Sequence, residues 1–308
     1  MSESRRNGDA GDPILELVRA EMARPIPAAV RAVAEAARAR FGTAIQAVLF
    51  YGSCLRDGEE RGRLVDLYLL AEDEAAVTPS PLRARLLRLL PPDVYHVAAA
   101  FEDRTVRAKV SVMALSTLER AVAPLTLEPY FWARFAQPTA LLWAADPATA
   151  DRVHRLLARA IRTLAAEVRP LLGPAVEPLA LFERAFAETY RTELRAEPPE
   201  RARALLAADA ARYRRLGALL LAELPVPSAA DRAAAERRWA RRRRLGKLRS
   251  ILRLAKAAST FEGGAEYLAW KIERHSGVAI RLAPWQRRYP RLAGLLLLPR
   301  LLRRGAVR

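Results

Sequence analysis

A single cysteine, Cys54, in 308 residues excludes an internal disulfide framework and a cysteine zinc site, and it fits a reducing cytoplasm. Histidine is nearly as scarce, with three residues, and no His/Cys/Glu spacing suggests a metal centre of the zinc type. Long apolar runs are missing as well. The cleanest, Leu292 to Leu298, falls far short of the about 18–20 residues that a membrane span needs, so no transmembrane helix is expected. The opening MSESRRNGDAGDP has no apolar core of a secretory signal. Neither a Walker Gly-x-x-x-x-Gly-Lys loop nor a Gly-x-Ser-x-Gly elbow occurs, and no internal repeat is visible. The last shortage is of acids: 34 Asp+Glu stand against 52 Lys+Arg, a net charge of +18.

What is present is ample for a core, with 52% apolar and 28% charged residues. The charge points to polyanionic partners, whether nucleic acid, anionic lipid or phosphorylated substrates. Arginine far exceeds lysine, which together with abundant Ala and Leu is also what GC-rich coding would produce.

Residues 1–12 are polar and expected to be disordered. From Pro13 to Arg40 apolar residues recur at helical spacing, broken into two helices by Pro25 and Pro27. Four apolar, β-rich runs follow, at 44–53, 64–72, 94–103 and 105–115. From Ser116 onward the pattern is helical almost to the end, with Ser116 and Glu119 spaced as a capping box. This order predicts an α+β fold with a small mixed sheet followed by a helical domain. The expected divisions are a first domain over 13–150, a helical domain over 151–235 and a basic C-terminal segment over 236–308.

The stretch that carries chemistry is a strand closing on Gly52-Ser53, then about a dozen residues, then Asp66 on a second strand. In polymerase-β-like nucleotidyltransferases such a Gly-Ser opens a helix whose backbone N–H groups and hydroxyl hold nucleotide phosphates. An acidic residue on the next strand binds Mg²⁺, which bridges the phosphates. The usual second carboxylate, two residues on, is replaced here by Tyr68. An ordinary turn followed by a strand-end aspartate would give the same short pattern.

The rest of the chain resembles the mitochondrial translocator-assembly-and-maintenance family of phosphatidate cytidylyltransferases, the peripheral CDP-diacylglycerol synthases. The family's Tyr-Gly-Ser and its Asp without a second acid are similar to Tyr51-Gly52-Ser53 and Asp66-Leu67-Tyr68. Its Lys-Tyr-Gly-Val-Ile strand resembles Lys109 to Met113. Its Leu-Tyr-x-Ala-Gly-Arg-x-x-Lys-Pro segment resembles 129–138, with Tyr130, Arg134 and Pro138 in step and Gln137 in place of the Lys. Its Ser-Tyr-x-Gly-Asp-x-Arg segment is similar to Thr189 to Arg195, and a late Lys/Thr then Tyr/Lys stretch to Lys256, Thr260, Tyr267 and Lys271. These short matches are collinear over about 44–275.

The resemblance implies a nucleotidyltransferase fold that transfers CMP from CTP to phosphatidate, as in phospholipid and cardiolipin biosynthesis, with Mg²⁺ as cofactor. It assigns Asp66 as metal ligand and catalytic residue beside Lys109 and Arg134. Gly52, Ser53 and Tyr130 would bind nucleotide, and Tyr190, Glu193, Arg195, Lys256, Tyr267 and Lys271 lipid or phosphate. Read from the residues alone, Lys109 is either a buried phosphate contact or a snorkelling surface lysine. Arg134 is either a phosphate fork or half of a structural ion pair. Tyr190, Glu193 and Arg195 would serve equally as surface charges on a helix, and Glu193 could add a second metal ligand.

Between Arg237 and Lys256 ten basic residues and no acidic one are interleaved with Trp239, Leu245, Leu248, Ile251, Leu252 and Leu254. Trp270, Trp285 and Tyr289 continue the mixture. Such a segment suits an anionic bilayer, aliphatic and Trp side chains entering the interface while Arg meets headgroups. The expectation is a peripheral protein on the cytoplasmic face of the inner membrane. The alternative is an RNA-directed or non-catalytic nucleotidyltransferase-fold protein, with the basic surface meeting nucleic acid, the less favoured partner.

Overall fold

The computed structural model describes residues 11–78, 80–124, 126–193 and 199–260. Along the chain run α1 (Pro13–Met22), α2 (Ala28–Ala39), β1 (Ile45–Tyr51), α3 (Ser53–Asp57), β2 (Leu64–Ala71), α4 (Pro81–Leu89), β3 (Asp93–Phe101) and β4 (Arg104–Ala114). They are followed by α5 (Leu115–Ala121), α6 (Tyr130–Phe135), β5 (Thr139–Ala144), α7 (Pro147–Val168), α8 (Pro178–Tyr190), α9 (Pro199–Ala207), α10 (Ala210–Glu223) and α11 (Ala229–Thr260). The fold is α+β, around a five-stranded mixed sheet of order β3-β4-β2-β1-β5. Only the β2/β4 pair is parallel.

β2 explains why the sheet is buried on both sides. Its Leu67-Tyr68-Leu69-Leu70 run is apolar without alternation, and all four side chains are fully buried. Because strand residues alternate in direction, the sheet feeds two separate cores. Val48, Phe50, Val65, Leu67, Leu69, Val110 and Val112 face α2, whose Val30, Val33, Ala34 and Ala37 form its apolar stripe. Leu49, Tyr51, Tyr68, Leu70 and Met113 face the other way, into a larger core shared with α1, α6, α7, α8, α10 and α11. That second core is continuous from Ile14 to Trp239. The expected divisions at 150 and 235 accordingly fall inside α7 and α11, not at breaks between packed units.

Three expectations are corrected. Asp12, placed in a disordered tail, is ordered: its side chain accepts from the Ile14 and Leu15 N–H groups as the N-cap of α1 and receives a two-pronged bond from Arg162 at 2.8 and 3.0 Å. Residues 139–144, assigned to a helical region, form β5 along the edge of β1. Two leucines and a tryptophan carry no period-2 signature, but Pro138 before and Asp146-Pro147 after bracket a segment too short for a helix. Asp146 then caps α7 through the Thr149 N–H at 2.7 Å. Ser116 caps nothing: α5 starts at Leu115 without a side-chain cap, and it is Thr117 that turns inward, to bond the buried Glu74.

The last described helix, α11, is fastened to the bundle through Arg242, which is 1% exposed. Its guanidinium lies over the rings of Trp132 (4.7 Å) and Trp239 (5.0 Å) and pairs with Glu167 of α7 at 2.8 Å. Trp239 Nε1 donates to the Glu167 carbonyl at 2.9 Å. Removing one partner of such a buried pair leaves an uncompensated charge. Arg242→Ala is therefore expected to cost about 3–5 kcal/mol in urea unfolding, and a combined Arg242→Met/Glu167→Leu variant to recover part of that loss.

Candidate active site

The register of the sheet brings the sequence-predicted residues into one row. Tyr51 pairs with Asp66, Asp66 with Lys109, and Tyr51 on its other side with Thr139. Directly paired residues point to the same face, so Asp66 and Lys109 share the face that carries Tyr51 and Tyr68. At the end of β1 the backbone turns through Gly52, with φ +90°, into the short helix α3. This glycine is required twice. Its φ is one that side-chain-bearing residues rarely adopt, and a Cβ there would sit 2.6 Å from Asp66 Oδ2. The Asp66 carboxylate thus packs directly on the Gly52 backbone, and Ser53 opens the helix beside it. Cys54 is buried under this turn, its Sγ donating to the Leu64 carbonyl at 3.4 Å, and burial pushes its thiol up.

Helix α6 lays Tyr130 and Arg134, four residues apart, over this row. The Arg134 guanidinium stands 4.8 Å from the Tyr51 ring and 5.6 Å from the Tyr130 ring. Tyr51 and Tyr68 pack with centroids 5.1 Å apart, and the Tyr68 and Tyr130 hydroxyls meet at 3.5 Å. Arg253 of α11 caps the other side of Tyr130 at 5.4 Å. No carboxylate pairs with Arg134 in the described contacts, and its Nε has no hydrogen-bond partner.

The electrostatics follow. Burial raises the Asp66 carboxyl above the usual range, against the opposing pull of Lys109, Arg134 and Arg56. Burial also raises the Tyr51 and Tyr68 phenols. For Tyr130 burial acts in the same direction, but Arg134, Lys109 and the hydrogen bonds from Tyr68 and Arg134 outweigh it, so this phenol titrates below its ordinary value. Three cations therefore surround one carboxylate, an arrangement that attracts a polyanion.

No protein-family model matches the chain, and no curated protein matches its sequence.

Gly52, Ser53, Asp66, Lys109, Tyr130 and Arg134 converge. Of its two readings, Lys109 takes the exposed one, on the strand face it shares with Asp66. Of the two readings of Arg134, the ion pair with an acid is not found; aromatic rings surround it instead. Tyr190 stacks on Phe186 at the end of α8, and Glu193 follows in the turn after it. No described contact joins either to Asp66. Lys256 is buried against Asp93 at 2.8 Å, which gives it an anionic partner within the protein. Arg195, Tyr267 and Lys271 lie outside the described residues. Sequence reading missed Arg56, in the stretch between Ser53 and Asp66, and Arg253, whose neighbour Tyr130 is more than a hundred positions away. Arg56 could have been found, since it lies on the short helix that Gly52-Ser53 opens.

Gly52→Ala is expected to lose about 1–3 kcal/mol through backbone strain and to displace Asp66, read as lowered stability together with lost ligand binding. Asp66→Asn is expected to do the opposite to stability. Because burial outweighs attraction at Asp66, its ionised form disfavours folding. The Asn variant should melt higher at pH 7, and its advantage should shrink as pH falls from the raised carboxyl value to the ordinary one, below which folded and unfolded wild type are both neutral at Asp66.

Proposed function

We propose that the protein is a nucleotidyltransferase of the polymerase-β-like kind, and specifically a phosphatidate cytidylyltransferase that converts CTP and phosphatidate to CDP-diacylglycerol and pyrophosphate. The observation that carries the proposal is the Asp66 carboxylate seated on Gly52 at a strand–helix turn, with Arg56, Lys109 and Arg134 around it. A triphosphate is the kind of ligand that such a ring of cations suits. The collinear resemblance of the flanking segments supplies the choice of CTP and phosphatidate.

The residues fit one Mg²⁺ that arrives with its nucleotide. Among the described residues no group of three metal-ligating side chains occurs. Mg²⁺ commonly binds through one or two carboxylates plus substrate phosphates, and Asp66 supplies one, packed so closely on the Gly52 backbone that no Cβ fits between them. When bound there, the ion would neutralise the triphosphate and stabilise the pyrophosphate leaving group.

The protein's own groups then have separate tasks. Ser53 and the 52–54 backbone hold phosphate oxygens. Lys109, exposed beside Asp66, reaches the charge that develops on the transferred phosphoryl group, and Arg134 with Tyr130 orients it from the α6 side. A phosphatidate phosphate oxygen attacks the α-phosphorus of CTP. That P–O bond forms as the bond to the bridging α–β oxygen breaks, and the electron pair leaves on pyrophosphate. The nucleophile is already anionic near neutral pH, so positioning replaces a strong general base. The lipid substrate and the basic C-terminal segment 236–308 together favour a peripheral protein on the cytoplasmic face of the inner membrane.

A second reading is kept by Tyr68. It occupies the position of the usual second carboxylate, is fully buried, and has its hydroxyl turned to Tyr130. A protein that binds RNA through this fold without transferring nucleotide would tolerate such a residue. Purified protein with CTP, phosphatidate, Mg²⁺ and detergent is expected to release pyrophosphate and form CDP-diacylglycerol, at a rate at least about a hundredfold lower in Asp66→Ala, on the scale of losing a principal charge-stabilising group. No product from folded protein, or an undiminished rate in that variant, overturns the proposal. Tight binding to structured RNA without product favours the second reading.

A further inference from the structure

The ten basic residues of 237–256 divide into two sets of different purpose. Six turn inward onto acids of this same chain: Arg238 and Arg242 onto Glu167, Arg243 onto Glu188, Arg249 and Arg253 onto Glu128, and Lys256 onto Asp93. The other four, Arg237, Arg241, Arg244 and Lys247, are exposed and have no carboxylate partner among the described residues. Arg237, Arg241 and Arg244 recur at helical spacing on one side of α11. The same side continues as Leu248, Ile251 and Leu252, which are 52, 50 and 44% exposed.

Helix α4 repeats the pattern. Its Leu82, Leu86 and Leu89, at i, i+4 and i+7, are 66, 37 and 64% exposed, beside an exposed Arg85. α11 is tied to the end of this helix: Arg249 Nη2 donates to the Leu89 carbonyl at 2.6 Å, and Lys256 Nζ donates to the Leu90 and Pro92 carbonyls. Seven large aliphatic side chains are exposed among the described residues, and six of them stand on these two joined helices. Isolated surface leucines need no explanation, but such a concentration flanked by unpaired cations does.

We propose that the outward side of α11 from Arg237 to Leu252, together with the leucine stripe of α4, forms a docking surface for an anionic bilayer, with the aliphatic side chains entering the interface and the four unpaired cations meeting lipid phosphates. The inward six are structural and take no part. The charge pattern selects this occupant, since unpaired cations around exposed aliphatics complement a negatively charged, apolar-backed surface. The inference deepens the membrane association proposed above. It assigns that association to two helices, one of them inside the α+β domain, and to four named cations.

The test is flotation of the full chain with vesicles of phosphatidylcholine alone, or mixed with phosphatidylglycerol, a lipid that is not the proposed substrate. Wild type is expected to float only with the anionic mixture. Leu82→Ser/Leu86→Ser/Leu89→Ser is expected to lose flotation, and each of Arg237→Gln, Arg241→Gln, Arg244→Gln and Lys247→Gln to lower partitioning about fivefold. All these positions are exposed, so thermal unfolding is expected to be unchanged and separates docking from misfolding. Wild-type flotation by the α4 variant overturns the proposal. So does conversion of a dimer to a monomer by that variant in light scattering, which would make a second copy the occupant. Loss of RNA binding with retained flotation in the Gln variants overturns it too. CMP transfer to detergent-dispersed phosphatidate is expected to survive in the docking variants. Normal flotation by a wild type that transfers nothing leaves the docking surface standing while the catalytic proposal fails.

Discussion

The arrangement depends first on one buried cation. Arg242 reaches from α11 into the bundle, meets Glu167 of α7, and is enclosed by Trp132 of α6 and Trp239 of its own helix. A guanidinium loses most of its hydration there, and it remains charged because a carboxylate and two aromatic faces replace the water. The clasp also fixes α6, a helix of only six residues. Trp132 is held by Arg242 while Tyr130 and Arg134 of the same helix face the sheet, so the groups above Asp66 inherit their position from a contact made at the far side of α6.

The sheet divides the labour of the protein. One face packs its apolar residues on α2. The other meets the helices and carries every converging group, because Tyr51, Asp66, Tyr68 and Lys109 fall on the same side of the pleat. Asp66 stays partly open between two tyrosines and three cations. Its raised carboxyl value records a compromise, in which desolvation exceeds attraction until a ligand changes the balance.

Much of this was legible in the residues. Strands β1 to β4 are apolar runs punctuated by Gly-Ser, charged turns and Pro pairs, and they were read nearly at their true limits. The Gly52-Ser53 to Asp66 spacing pointed to the turn on which the Asp66 carboxylate packs. β5 was hidden because six residues without alternation look like any apolar fragment; pairing with β1 makes it a strand. Lys109 stayed open between a buried and a surface reading because burial at one position depends on what covers the sheet there. The basic run was harder still. Its local sequence holds no acid, yet Glu128, Glu167, Glu188 and Asp93 reach it from 55 to more than 160 positions away. Charge counted along the chain overstated what is free in space.

Cys54 is the residue that makes the 52–58 turn observable. It is the chain's single thiol, one position beyond Ser53, and it is sealed beneath the turn by its bond to the Leu64 carbonyl. Any alkylating reagent that reaches it must wait for the turn to lift. The labelling rate of the unaltered protein is thus a clock for breathing at Ser53 and Asp66, needing no introduced probe, and a phosphate-bearing ligand seated on that turn would slow it.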